Sequence, residues 1–523
     1  MKAFVNGTFV SCEEENQVFA CMVEEKGKIL WLGNQLPERF ANVPTVDMNG
    51  AAVVPAFADT HIHFESFALF HNTVDVRDAK DMADTGRILR AYADTHPNDK
   101  VIPAYGCTAH IVAEKRLVTR VDLDGMVSRP LMIIKYDGHA AVCNSALLQL
   151  FPSDVTSDPG CDMETGWLYQ NAFYKGTNFI TGQIPVPRVL RGLVEASNHM
   201  TRMGVGLIHT VEGVGYAGDI DVDMMRACRY GLPQTFRIFF QTMDVSKATK
   251  RHMRHIGGCF KLALDGCFGS EDAALSDGYA NNPDNHGFLA YSQQQVNAFC
   301  LAANRAELQI AMHAIGDAAV EQAIVGLEAA QSDYPRPDAR HIIIHADLCK
   351  PEHRRRIKAL GACIALQPAF LDWPQEPANY LESILGKERA DAIEPLRSLT
   401  DDGILLSAGS DGPCTLPDPI ASIHISCNHP NPAQSLTPLE ALRMHTLNAA
   451  KTTHDEAERG SLTVGKRCDF TVLAQNPLTM EKTKLKDNHV LALYMEGREV
   501  KPMVCGTPGL LWRSLIGKLQ GKD

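Results

Sequence analysis

Pro55-Ala56-Phe57-Ala58-Asp59-Thr60-His61-Ile62-His63 continues an apolar run that begins at Ala51. The run reads as a buried strand, Val53–His63, that ends in two histidines. Residues two apart on a strand share a face. The imidazoles of His61 and His63 can therefore aim at one point, which suits two ligands of one metal ion. Taken singly, a His-x-His pair is as compatible with packed core histidines, so its meaning depends on what the rest of the chain brings to the same place.

Downstream, buried apolar strands alternate with helical patterns, the mark of a parallel β/α arrangement. Eight core strands are predicted: Val53–His63, Val205–Thr210, Phe236–Thr242, Cys259–Leu264, Gln309–Ala314, His341–Ala346, Ala362–Gln367 and Ile404–Ser410. Eight such units predict a (β/α)₈ TIM barrel, whose function would sit at the C-terminal ends of the strands. About 140 residues separate the first strand from the second, too many for a βα loop. That span has strands of its own (Val101–Tyr105, Leu131–Tyr136) and predicts an inserted subdomain at about residues 75–195 over the barrel mouth.

The two ends of the chain have a different texture, with short alternating strands and turn signals. Asn6-Gly7 reads as a hairpin turn within Lys2–Val10, Glu25-Lys26-Gly27-Lys28 as a second and Glu496-Gly497 as a third. Residues 1–55 together with 455–523 are thus expected to form one small β-sandwich domain built from both termini, beside a barrel at 56–454.

Composition narrows the partners and the compartment. A formal charge of −12 and the lack of any basic block argue against a nucleic-acid partner. Fifteen scattered cysteines without a Cys-x-x-Cys pair, several of them in apolar stretches (Cys143, Cys228, Cys259, Cys363), read as buried thiols of a reducing compartment. No apolar signal core and no eighteen-residue apolar run is present, so a cytoplasmic protein without a membrane partner is expected.

Other metal-binding residue types fall at the predicted strand ends. Lys261 lies on the fourth strand, His313 ends the fifth, His345 ends the sixth, and Asp411 follows the eighth. Each has a plain structural alternative: Asp411 as a helix cap, the histidines as core residues, Lys261 as the partner of an acid such as Asp265. Their convergence by topology on one face points to a metal site. A phosphate-binding Gly-x-x-x-x-Gly-Lys-Ser/Thr loop, a Gly-x-Ser-x-Gly elbow and His-Glu-x-x-His are all absent.

The set His61-x-His63, Lys261, His313, His345 and Asp411 resembles the amidohydrolase superfamily of metal-dependent barrel hydrolases. The chain is more closely similar to amidohydrolase family 3, the YtcJ-like and N-substituted formamide deformylase-like branch. That resemblance rests on Pro55–His63, Asp137-Gly138-His139 with Asn144-Ser145, and Lys261-Leu-Ala-Leu-Asp265-Gly266. It rests further on Met312-His-Ala-Ile-Gly-Asp317, Gly409-Ser-Asp-Gly-Pro413 and Gly460-Ser-Leu-Thr-Val-Gly-Lys-Arg-Cys-Asp469. It implies two divalent metal ions, usually Zn2+. His61, His63 and Asp411 would hold one and His313 and His345 the other, bridged by carboxylated Lys261 (N6-carboxylysine). It implies that a water between the ions loses its proton near neutrality and attacks, that Asp411 moves the proton to the leaving nitrogen, and that His139 binds the carbonyl oxygen or oxyanion.

The implied reaction is hydrolysis of the C–N bond of a small non-peptide amide. Hydrolysis of a cyclic amide or lactone, or deamination, on the same site is the alternative, as is a catalytically silent metal-binding barrel. A homodimer is common for such barrels. Where the family has Ser-Leu-Gly-Ser-Arg-Thr, this chain has Cys267-Phe-Gly-Ser-Glu271-Asp272. Those two acids predict a rim that disfavours anionic substrates. Phe64, Phe67, Phe70 and Trp167 are read as packing residues first and pocket residues second.

Overall fold

The computed structural model describes residues 1–14, 17–70 and 73–522, without the side chains of Ala217 and Phe260. Its centre is an eight-stranded, all-parallel sheet in sequential order. The strands are β1 (Phe57–Ile62), β2 (Val205–Glu212), β3 (Thr235–Phe240), β4 (His255–Ala263), β5 (Gln309–Ala314), β6 (Ile342–His345), β7 (Cys363–Leu366) and β8 (Leu405–Ala408). Nearly every strand residue is buried, as expected for a parallel sheet covered on both faces.

The segment after β8 closes on β1 through the signature residues themselves. The Ser410 amide and hydroxyl donate to the Asp59 carboxylate (3.0 and 2.6 Å), and the Asp411 amide donates to the His61 carbonyl (2.8 Å). A Cβ at Gly409 would lie 2.3 Å from the His61 nitrogen, so the closure leaves no room for a side chain there.

The predicted first strand is two strands. Ala52–Pro55 pairs in a six-stranded sheet with Phe470–Leu473 and Thr8–Val10, and the chain then enters the barrel at Phe57. Both halves are buried, so the apolar run carries no sign of the change of sheet. The Asn6-Gly7 turn is likewise not a hairpin. Lys2–Val5 pairs with Cys21–Glu25 and Thr45–Asp47, whereas Thr8–Val10 pairs with Val18–Phe19 and Ala52–Pro55. The other two turns are tight hairpins, each with two consecutive positive-φ residues, Lys26-Gly27 (52° and 81°) and Glu496-Gly497 (50° and 68°).

A four-stranded and the six-stranded sheet share a core of Phe4, Phe9, Met22, Ile29, Val53 and Phe470, and strands from both ends of the chain contribute. The C-terminal residues Thr507–Leu519 form a helix rather than a strand. Between β1 and β2 lies a separate five-stranded sheet, from Val74–Asp75 to Trp167–Tyr169, with its own cores. Trp167, Phe64, Phe67 and Phe70 are buried core residues. All fifteen cysteines are free thiols, thirteen of them buried. Among the described residues no helix is long and apolar enough to cross a membrane.

Candidate metal centre

The C-terminal ends of β1, β5 and β6 and the turn after β8 bring five of the six expected ligands together. The His61 and His63 Nε2 atoms lie 3.0 and 3.4 Å from the same Asp411 oxygen, Oδ1. The rings of His61 and His345 are 5.6 Å apart, and those of His313 and His345 4.6 Å. Each of the five is buried. Burial would raise the Asp411 carboxyl, but the charge and hydrogen bonds of His61 and His63 outweigh it and hold the group well below the ordinary carboxylate range. Burial also pushes His61 and, further, His345 below the usual imidazole value, which favours the neutral ring that a metal requires.

His313 is oriented from behind. Its Nε2–H donates to the Gly266 carbonyl (3.0 Å), with the Asp265 carboxylate at 3.4 Å, while its buried Nδ1 has no partner. Burial alone would lower this imidazole, but Asp265 more than offsets it and the group titrates above its ordinary value. The His345 Nδ1 is buried and unpartnered too. Ring nitrogens left without a hydrogen bond in the interior, next to an ionised carboxylate, are what a bound cation would satisfy. The donor set therefore fits a metal.

Lys261 is the exception. Strand β4 keeps register with β5 through Gly257 and Gly258 (φ 115° and 145°), and the pairing then jumps from Gly258–Met312 to Ala263–His313, so residues 259–262 bulge out of the ladder. A Cβ at Gly257 would lie 1.8 Å from the Ala311 carbonyl oxygen, so glycine is required. Lys261 lies within that bulge. Its side chain is 44% exposed, donates to the Gly213 carbonyl and lies 3.7 Å from the Asp219 carboxylate. It does not pair with Asp265, which instead accepts three backbone N–H bonds.

Cys259 stands where the bridge was expected. Its Sγ is 3.1 Å from His61 Nε2 and 3.7 Å from His345 Nε2. It is common to two potential ligand groups, His61/His63/Cys259/Asp411 and Cys259/His313/His345. Burial, then the Asp411 charge, pushes its thiol well above the ordinary range, a shift that a bound cation would oppose. Sequence reading treated it as a buried thiol. A signal was available, because it lies two residues before Lys261 on the same strand and so shares its expected face.

These residues open into a cavity of about 50 Å³, reached by His139 from the insertion, whose ring lies 6.0 Å from that of His313. Burial lowers the His139 imidazole, and Asp137 and Asp272 oppose this. Asp137 ties the insertion to the barrel by accepting the Ser270 hydroxyl (2.9 Å), and its ion-pair partner Lys135 (2.6 Å) donates to the same hydroxyl (2.7 Å). Neither Glu271 nor Asp272 lines the cavity. Glu271 holds Asn281 (3.1 Å), and Asp272 accepts the Cys267 amide (2.8 Å). Besides Asp411, the acids in the wall are Asp137, Asp347 and Glu376, and the aromatic wall is Phe268, Phe370 and Trp373, with Phe370 stacked on Trp373 at 4.7 Å. Burial, then Asp137, pushes Glu376 up to about 7, with Tyr136 donating to it at 3.1 Å.

A sequence profile described as "Amidohydrolase family" matches residues 44–501. The chain belongs to the amidohydrolase family. It is 26% identical to the putative amidohydrolase YtcJ of Bacillus subtilis, over 93% of this chain and 96% of that one. It is 23% identical to the N-substituted formamide deformylase of Arthrobacter pascens, over 94% and 97%. Among solved structures, an uncharacterized metal-dependent hydrolase from Pyrococcus furiosus superposes with a TM-score of 0.73 at 25% identity, covering 91% of this chain and all of the other. In this amidohydrolase the matched span includes every histidine of the site and Asp411.

Proposed function

We propose that this amidohydrolase is a metal-dependent hydrolase that cleaves the C–N bond of a small, non-peptide amide at the barrel mouth. The carrying observation is the meeting of His61, His63, His313, His345 and Asp411 around Cys259. His61, His63 and Asp411 would hold one divalent ion and His313 and His345 a second, with Cys259 available to either as a thiolate; such nitrogen and sulfur donors suit zinc. Bound there, the ions supply Lewis acidity and lower the pKa of water.

The chain's own residues do the rest. Asp411, ionised at neutral pH, accepts a proton on a carboxylate oxygen from the attacking water and delivers it to the leaving nitrogen. His139 donates a ring N–H to the substrate carbonyl oxygen, where negative charge develops. Phe268, Phe370, Trp373 and Ile393 give the wall an apolar surface that favours a neutral substrate with a small acyl group. The deformylase relative supports a formyl group in that place.

The test is hydrolysis of N-alkyl- and N-arylformamides, beside the matching acetamides, by zinc-loaded protein and its Asp411→Asn variant. Cleavage of a formamide that is lost in the variant, with zinc retained, supports the reading. Cleavage of neither amide series would refute it.

A further inference from the structure

The end of the barrel opposite the metal centre carries a second cavity, of about 1,060 Å³, at the N-terminal ends of β3, β4 and β5. Six cationic side chains line it, namely Arg226, Arg229, Arg237, Arg254, Arg336 and Lys518, against the carboxylates of Asp223, Glu307 and Asp455. This excess of positive charge stands in a chain whose formal net charge is −12.

Two of the three acids are committed. Asp455 takes Arg237 (2.8 Å), and Asp223 is shared between Arg226 (3.0 Å) and Arg251 (2.9 Å). Arg336 donates to neutral oxygens, the Leu308 and Glu307 carbonyls (2.9 and 3.2 Å) and the Asn304 amide oxygen (3.1 Å). Arg229 bonds the Tyr230 hydroxyl (2.8 Å), and its buried Nε has no partner. Arg254 and Lys518 are exposed to the cavity. Among the described residues, none of Arg229, Arg254, Arg336 and Lys518 lies in an ion pair with a carboxylate.

A cluster that served stability alone would pair its guanidinium groups, since unpaired like charges gathered in one cavity repel. Its field reaches neighbouring groups. His255, at the start of β4, is pushed down to about 4, by burial first and then by Arg237 and Arg254. Planar guanidinium forks match phosphate and carboxylate oxygens in bidentate fashion. The volume corresponds to a whole small molecule, roughly 300–1,000 Å³ being usual, rather than to one inorganic ion.

We propose that this cavity binds a small, multiply charged anion bearing phosphate or carboxylate groups, held by Arg229, Arg254, Arg336 and Lys518. It is separate from the amide-hydrolysing site and does not depend on that reading.

The probes are inorganic tripolyphosphate and citrate, titrated calorimetrically into the full-length metal-loaded protein at constant ionic strength. One saturable site per chain is expected, and the tighter probe identifies the anion class. Affinity should fall at least tenfold in Arg254→Gln/Arg336→Gln and be unchanged in Lys387→Gln, an exposed cation elsewhere. Because Arg336 supports backbone carbonyls, Arg254→Gln/Lys518→Gln serves as a second variant that leaves those bonds intact and should also lose affinity. No saturable binding of either probe, or equal binding by both double variants and the parent, would overturn the proposal.

Discussion

Asp265 offers a quantitative test of how the site is held. Its Oδ1 accepts the Ile315 amide (3.0 Å) and its Oδ2 accepts the Gly316 (2.7 Å) and Ala274 (2.9 Å) amides, joining the β4 and β5 exits behind His313. The residue is 2% exposed, so water cannot replace those bonds. Asp265→Asn keeps the shape and one acceptor oxygen but removes the charge and turns an amide N–H₂ toward at least one backbone N–H. With hydrogen bonds to a charged group worth about 1.5–3 kcal/mol each, the loss is about 3 kcal/mol, or roughly a hundredfold in local opening. Hydrogen exchange followed by mass spectrometry should show that acceleration in peptides covering 264–278 and 309–320, with the terminal sheets unaffected. Because Asp265 also fixes His313, metal affinity on that side should fall by about 10–100-fold. Unchanged exchange together with unchanged metal affinity would refute the positioning role.

Four further predictions concern the centre and its wall. Cys259→Ser should bind about one fewer ion per chain by elemental analysis and abolish the thiolate-to-cobalt absorption band of the cobalt(II) protein. Lys261→Met should leave both intact, whereas bicarbonate-dependent metal uptake lost in Lys261→Met would restore the lysine bridge. Asp411→Asn should lower kcat by about 10²–10⁴-fold, the usual worth of a positioned general base. Glu376 titrates near 7 against 4.5 when exposed, so it is protonated in the fold where the unfolded chain has lost its proton. Its contribution is fully favourable below about pH 4.5 and is lost as pH rises to about 7, by about 3 kcal/mol. Glu376→Gln should accordingly flatten the fall in thermal midpoint between those pH values, and an unaltered profile would exclude that burial cost.

The barrel was legible because parallel strands buried on both faces are written as short Val/Ile/Leu runs, and their order sets which residues meet at the mouth. That is why His61, His63, His313, His345 and Asp411 could be gathered from topology. The change of sheet at Ala56 was not legible, since both strands flanking it are buried and no turn residue marks the passage. Asn6-Gly7 has the chemistry of a hairpin, yet it serves a crossing between two sheets, a matter of tertiary pairing alone. Strand periodicity assumes an unbroken ladder, so it gave no sign that the Lys261 amine would donate to the Gly213 carbonyl. The bulge after Gly258 breaks the ladder, with Cys259 among the histidines. Asp347, Glu376, Phe370 and Trp373 reach the cavity from segments after β6 and β7, whose course no local pattern fixes.

The most direct test of the central claim is a zinc titration of the metal-stripped chain, reading bound metal and formamide hydrolysis on the same samples. The account predicts two ions per chain and activity that appears with their binding. Hydrolysis at full rate without metal, or no tight binding of zinc at all, would contradict it.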